Sequence, residues 1–344
     1  MKILFTRYYK PMIWTILFLL TVVAGVLIVK HYVGGYEEFL RLLKEISLSQ
    51  WLLLLLLTGL FYFLDYVRFY SLFSILGHKL SLSRGLELTA INYFVSSLTP
   101  TAEFTLPAMA YFMKRDGVPA ASTIAIGISR SFYMIMWIFI FSVLSLQFRS
   151  DVHLPLWVSH SFFYWTLPAD VLILLFLITI IYPQSILRWT SKLLSMEKIP
   201  GLIKKLISGF NQCAESISFM GKSRHPMHFV CHIASILYIV LYIAIGGFLC
   251  DFLRIGNSLT KNVIVFSNSL LVAYLSPVPG SIGVTEAATN YLLSPKMSER
   301  GMMASTLLRF LCWYVIMIPG AIITVKMIGE VGIQAFEKWV LPKT

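Results

Sequence analysis

Four ionisable residues sit where an apolar sequence has little room for charge. Glu103 and Glu286 adjoin proline-interrupted stretches, and Arg130 and Arg309 lie inside the apolar runs that follow. An ionisable side chain within a bilayer costs about 2.5–3.5 kcal/mol on insertion scales, so each is a functional candidate. Two chemistries fit them. The arginines can pair with the glutamates and hold the broken segments, or their forked donors can take a phosphate. Asp65 and Arg68 are three residues apart, on one helical face, and form a candidate ion pair. His225, His228 and His232 fall at i, i+3 and i+7 beside Cys231, a spacing that could place a metal on one face. Histidines next to a basic loop fit the headgroup level better, and no metal site is expected.

The elements carrying these residues must lie in a membrane. The 344-residue chain is 58% hydrophobic and 13% charged, against about 45–50% and about 25% for soluble domains. Its net charge of +12 is concentrated in loops, which argues against nucleic acid as partner. The cysteines, Cys213, Cys231, Cys250 and Cys312, are scattered through or beside apolar segments and form no CxxC pair. The basic, long apolar N-terminus reads as an uncleaved first span. No Walker-A loop, HExxH, GxSxG or dinucleotide-binding fingerprint is present, so neither an enzyme nor a cofactor is expected.

Crossing a bilayer takes about 20 apolar residues. Full spans are expected at about 12–30, 51–74, 120–148, 162–182, 228–252 and 303–328. Residues 37–50 read as a short amphipathic surface helix. Segments 86–113 and 262–294 break near their centres, at "SSLTPTAEFTLP" and "SPVPGSIG", into halves of about 12 residues. Such a half reaches roughly 18 Å, too short to cross alone. The basic loop 183–227 is placed in the cytoplasm by the positive-inside rule, with "KKLISGF" (204–210) lying on anionic lipid. Following the charges in both directions makes each broken segment re-entrant, one from either face, with both termini cytoplasmic.

The broken segments repeat. Asn92 precedes Pro100 by eight residues and Asn268 precedes Pro277 by nine, while Pro100–Arg130 and Pro279–Arg309 are both thirty apart. The expected fold is an all-α polytopic membrane protein of about six full spans and two re-entrant broken-helix hairpins in an inverted repeat. It is one integral membrane domain over 1–344: repeat 1 about 51–148, a linking span and basic loop 162–227, and repeat 2 about 228–328. Inverted repeats with broken helices near the midplane are a recurring transporter plan. Pro100, Pro107, Pro277, Pro279, Gly280 and Gly283 would shape the tips, where open backbone N–H groups favour an anion.

These residues resemble a known family. "SLTPTAEFTLPAMAYFMKRDGV" (97–118) and "LSPVPGSIGVTEAATNYLL" (275–293) are similar to the two motif regions of the lysylphosphatidylglycerol synthase transmembrane, or flippase-like, family. "LLRFLCWYVIMIPGAI" (307–322) looks like its closing helix, with Arg309, Tyr314 and Gly320 in place. The chain departs from the pattern at "TAEFTLP", where relatives carry glycines, and at "ISRSFY", where an acidic residue often precedes the arginine. It ends sixteen residues after the last expected span. The resemblance therefore implies a stand-alone flippase-like protein without the aminoacyl-transferase domain.

The expected function is movement of a phospholipid or polyprenyl-linked lipid across a prokaryotic inner membrane. Glu286, Arg309, Arg130, Glu103, Asn92 and Asn268 would form the headgroup environment. The alternatives are a secondary transporter of a small anion, and a non-transporting scaffold for a partner synthase of lipid or glycan.

Overall fold

The computed structural model describes residues 36–99, 104–146, 201–276, 278–294 and 297–340. All regular structure among them is helical. The expected spans at 12–30 and 162–182 lie outside the described residues.

Helix α1 is Tyr36–Glu45 and α2 is Leu48–Ile75. The surface helix thus stops earlier than the expected residue 50, and the span starts before 51. A local signal explains both shifts. Ser47 Oγ accepts the Gln50 N–H, and the Gln50 side chain accepts the Ser47 N–H at 2.8 Å. This reciprocal capping box satisfies two amides that a new helix leaves open, fixing its start at Leu48.

Helices α3 (Leu82–Leu98) and α4 (Thr105–Lys114) form the first hairpin, and α5 (Ala120–Leu146) follows it. Helix α6 is Gly201–Lys222 and α7 is Met227–Phe252. Helices α8 (Leu259–Leu275) and α9 (Val284–Leu293) form the second hairpin. Helix α10 (Glu299–Arg309) passes through a π turn, Phe310–Tyr314, into α11 (Val315–Val340). Among the described residues, four helical stretches are long and apolar enough to cross a membrane: Leu48–Ile75, Ala120–Ser145, Met227–Phe252 and Glu299–Met327.

The hairpin arms are unequal, correcting the expected halves of about 12 residues. In both hairpins the first arm has 17 residues and the second 10. The serines explain the longer arms. Ser81 caps the Arg84 N–H and Ser258 caps the Lys261 N–H, so each helix begins a turn before the apolar run suggests. Each first arm ends at an extended residue, Thr99 or Ser276.

Packing carries the same repeat. Phe61 on α2 stacks on Tyr238 of α7 at 4.0 Å and lies near Tyr242, while Arg68, two turns further on, reaches back to Ser235. The two helices therefore run antiparallel. Around them the contacts are reciprocal. Helix α3 packs on α11, α8 packs on α5, and each short arm packs on the helix that follows it. Gly320 permits one of these approaches, because a Cβ there would stand 2.1 Å from the Ala90 carbonyl oxygen. A buried aromatic group of Phe61, Tyr62, Tyr93, Tyr242 and Trp313 fills the centre. Aromatic pairs of this kind contribute about 0.5–1.5 kcal/mol each beyond area burial.

Candidate functional site

The hairpins meet at the tip of the second. Pro279 opens a 3-10 turn to Ser281, its fixed φ suiting a first helical position. Gly280 follows at φ 57°, and a Cβ on it would sit 3.2 Å from Ser97 Cα on α3. Only glycine combines that dihedral with that approach at little cost. Gly283, at φ 79°, caps α9.

Between the hairpins lies a cavity of about 520 Å³. Its wall takes Asn92, Tyr93 and Ser96 from α3, Arg130 and Phe132 from α5, Tyr274 from α8, and Gly280 and Ser281 from the tip. Arg309 and Trp313 complete it. Both arginines of the repeat therefore face one space. Their partners differ.

Asp65 is fully buried on α2. Arg130 Nη1 donates to both its oxygens at 2.7 Å, and Arg68 Nη1 donates to Oδ1 at 2.8 Å. Arg68 also donates to Ser235 Oγ at 3.1 Å and to the Arg130 carbonyl at 2.9 Å. Arg130 lies over the Phe69 ring at 4.5 Å. The expected Asp65–Arg68 pair is thus part of a three-residue cluster. Arg130's partner in it is Asp65; Glu103, the partner weighed for it in the sequence, lies outside the described residues. Desolvation favours the arrangement, since a fully buried carboxylate requires paired, hydrogen-bonded cations.

Glu286 has no such cation. It occupies the first turn of α9, where Oε2 accepts the Gly283 N–H at 2.9 Å and Oε1 accepts the Tyr314 hydroxyl at 3.3 Å. Pairing of Glu286 with Arg309, one of the two chemistries the sequence left open, is not formed. The helix start and Tyr314 have taken the carboxylate's oxygens, and Arg309 lies over the Trp313 ring at 4.2 Å. Arg309 is 3% exposed, and its Nε and Nη1 have no hydrogen-bond partner among the described residues. A guanidinium so buried with two idle donors has the chemistry to accept an anion. Three arginines face two carboxylates here, leaving one positive charge over among the described residues.

The other expected site residues separate. Asn92 lines the cavity. Asn268 does not; it accepts from Ser142 Oγ at 2.7 Å and donates to Ser145 Oγ at 3.2 Å and to the Ile264 carbonyl at 2.7 Å. Those bonds tie α8 to α5. Pro107 is exposed in the first turn of α4, where its missing N–H costs nothing. Pro100 and Pro277 lie outside the described residues. Trp313 was not anticipated, although its position four residues after Arg309 places it on the same helical face. Also unanticipated is the buried contact of the Tyr93 and Tyr238 hydroxyls at 2.6 Å, because nothing in a sequence pairs residues across spans. No group of three or more His, Cys, Asp or Glu able to hold a metal occurs among the described residues.

The sequence profile of the lysylphosphatidylglycerol synthase TM region matches residues 13–320. The chain belongs to this family. The match covers both hairpins, Arg130 and Arg309, and ends at Gly320. No curated protein and no solved structure matches the chain. Membership in the lysylphosphatidylglycerol synthase TM family, with the spanning helices, makes this a multi-pass membrane protein and is consistent with a membrane lipid-related function.

Proposed function

We propose that the chain is a flippase- or scramblase-type carrier that moves a phospholipid or polyprenyl-linked lipid between the leaflets of a prokaryotic inner membrane. Arg309 carries this reading, as a buried guanidinium with two idle donors facing the cavity where the hairpins meet. A phosphate headgroup offers the acceptors it lacks, and charge-assisted bonds of this type are the strong ones. Phe132, Ile135 and Trp313 give the same cavity apolar walls suited to the start of a lipid's chains. Arg130, already held by Asp65, supplies a second, partly neutralised charge. The carrier makes and breaks no covalent bond. Rocking of the two repeats about the antiparallel α2–α7 pair would expose the cavity to each side in turn. The basic loops, by the positive-inside rule, support cytoplasmic termini for such a carrier.

Headgroup-labelled phospholipid in proteoliposomes, read with a membrane-impermeant quencher, tests the reading. The wild-type chain should speed leaflet exchange above empty liposomes. Arg309→Ala should abolish the gain while keeping size-exclusion behaviour and thermal stability. Glu286→Gln should slow exchange with little loss of fold, because an amide oxygen can still accept the Gly283 N–H. Exchange equal to that of empty liposomes, with and without a proton gradient and for a polyprenyl phosphate as well, would reject it in favour of the scaffold. Uptake of a soluble anion without lipid exchange would favour the small-anion transporter.

A further inference from the structure

A second cavity, of about 640 Å³, opens beside the first, between α5, the end of α6 and the start of α7. Its wall includes Ser129 and Tyr133 of α5, Arg224 of the α6–α7 connection, and His225, His228 and His232. No carboxylate lines it among the described residues. Arg224 has no ion-pair partner among the described residues and is exposed.

The histidine hydrogen bonds set which ring nitrogen can donate. Indole nitrogen is donor only, so the Trp137 Nε1–H donates to His232 Nδ1 at 3.1 Å. The neutral His232 ring then carries its proton on Nε2. The Met227 N–H likewise donates to His225 Nδ1 at 3.2 Å, which leaves Nε2–H as that ring's donor. His228 is held by Tyr133, whose hydroxyl lies 2.6 Å from Nδ1. Ring packing fixes the group, with the Tyr133 and His232 centroids 4.7 Å apart. A permanent guanidinium, two imidazole donors and a hydroxyl at Ser129 thus line one recess with no competing carboxylate among the described residues.

We infer that this recess is a second anion site, taking a phosphate mono- or diester through Arg224, His225 and His232. It lies on the side of the basic loop 183–227. The two cavities share part of their walls, since Ile128 and Phe132 line both. A headgroup leaving the recess would have those two side chains between it and Arg309. The phosphate chemistry stands on the recess itself, and a lipid as its source rests on the transport reading above.

Equilibrium dialysis of the full chain in maltoside micelles tests it, with radiolabelled dihexanoylphosphatidylglycerol as probe. Two molecules should bind each wild-type chain. Arg224→Gln combined with His225→Gln should weaken one site at least about tenfold, the effect of removing a charge-assisted bond, and spare the other. Arg309→Gln should do the reverse. Arg224→Lys should keep both, which guards against a merely misfolded double variant. Two undiminished sites in the double variant would overturn the inference and leave the Arg309 reading standing. One site in the double variant and two in Arg309→Gln would uphold the recess and remove Arg309 from the transport reading. Displacement of the lipid from the recess by millimolar inorganic phosphate would identify a free phosphate ester as occupant, and its failure to displace would identify a lipid headgroup.

Discussion

Arg309 and Trp313 stand one turn apart across a π turn, and the guanidinium lies 4.2 Å from the indole ring. The stack does for Arg309 what Asp65 does for Arg130, with a different result. A carboxylate neutralises its arginine and fills its donors, whereas an aromatic face holds the guanidinium in place and leaves its edge open. Single π turns inside α-helices recur at functional sites. Here the turn follows directly on the arginine it presents.

Removing the stack should therefore weaken presentation without removing the charge. Trp313→Leu keeps an apolar side chain in the aromatic core and deletes a cation–π contact of about 0.5–2 kcal/mol. Lipid exchange is expected to fall about tenfold, well short of the loss in Arg309→Ala. Equal losses in the two variants would mean that Trp313 acts on folding, and the apparent Tm in detergent would reveal it.

Asp65 holds two buried arginines, so its neutralisation should be a stability lesion first. Asp65→Asn leaves Arg68 and Arg130 without their anion, and breaking a buried pair by removing one partner costs about 3–5 kcal/mol. A clear drop in apparent Tm is expected. Arg68→Met added to Asp65→Asn should recover part of it, since one of the two stranded charges is then gone. An unchanged Tm in the single variant would sink the cluster's structural role.

The tip of the second hairpin depends on Gly280. Alanine there must adopt φ 57° and place a Cβ 3.2 Å from Ser97 Cα. Backbone strain of this kind costs on the order of 1–3 kcal/mol. Gly280→Ala should loosen the contact between hairpins and slow lipid exchange, while Gly59→Ala, in open space on α2, should change neither Tm nor exchange.

Outside the membrane, acid should release one tether. Arg300 donates to both oxygens of Glu45, at 2.7 and 3.0 Å, and this bond holds the Glu45 carboxyl below its ordinary value of 4.5. A depressed carboxyl adds stability that is fully present above its unfolded pKa and is lost as pH falls through the folded one. The tether between α1 and α10 should thus hold at neutral pH and weaken as pH falls through the lowered carboxyl pKa. Amide hydrogen exchange of wild type and Glu45→Gln, corrected for the intrinsic rate at each pH, should show α1 less protected in the variant at pH 7. The difference should shrink as the Glu45 carboxyl protonates in acid, and a constant difference would remove Glu45 from the account.

Apolar length made the spans legible, and proline, joined by glycine in the second, made the two breaks legible, because these signals are local. The matching thirty-residue spacing to Arg130 and Arg309 also survives in the structure as two arginines on one cavity. Partner choice was not legible. Asp65 lies 65 residues from Arg130, and only the packing of α2 beside α5 makes them neighbours. Glu286 and Arg309 are separated by a cap and a tyrosine, which no spacing rule foretells. The serines at 47, 81 and 258 were readable as caps and would have placed the helix starts correctly.

Phe132 is the side chain whose replacement should speed the carrier. With Ile128 it lines both cavities, the one that holds Arg309 and the histidine-lined recess. Its ring is half-buried and forms no hydrogen bond, which leaves it free to change rotamer as a headgroup passes. Phe132→Ala removes that ring. Exchange should rise several-fold and discriminate less between headgroups, because passage would no longer wait on a rotamer change. Phe132→Trp should do the opposite, filling the shared wall and slowing exchange. Rates unchanged in both variants would show that lipid takes another route, even where both anion sites bind.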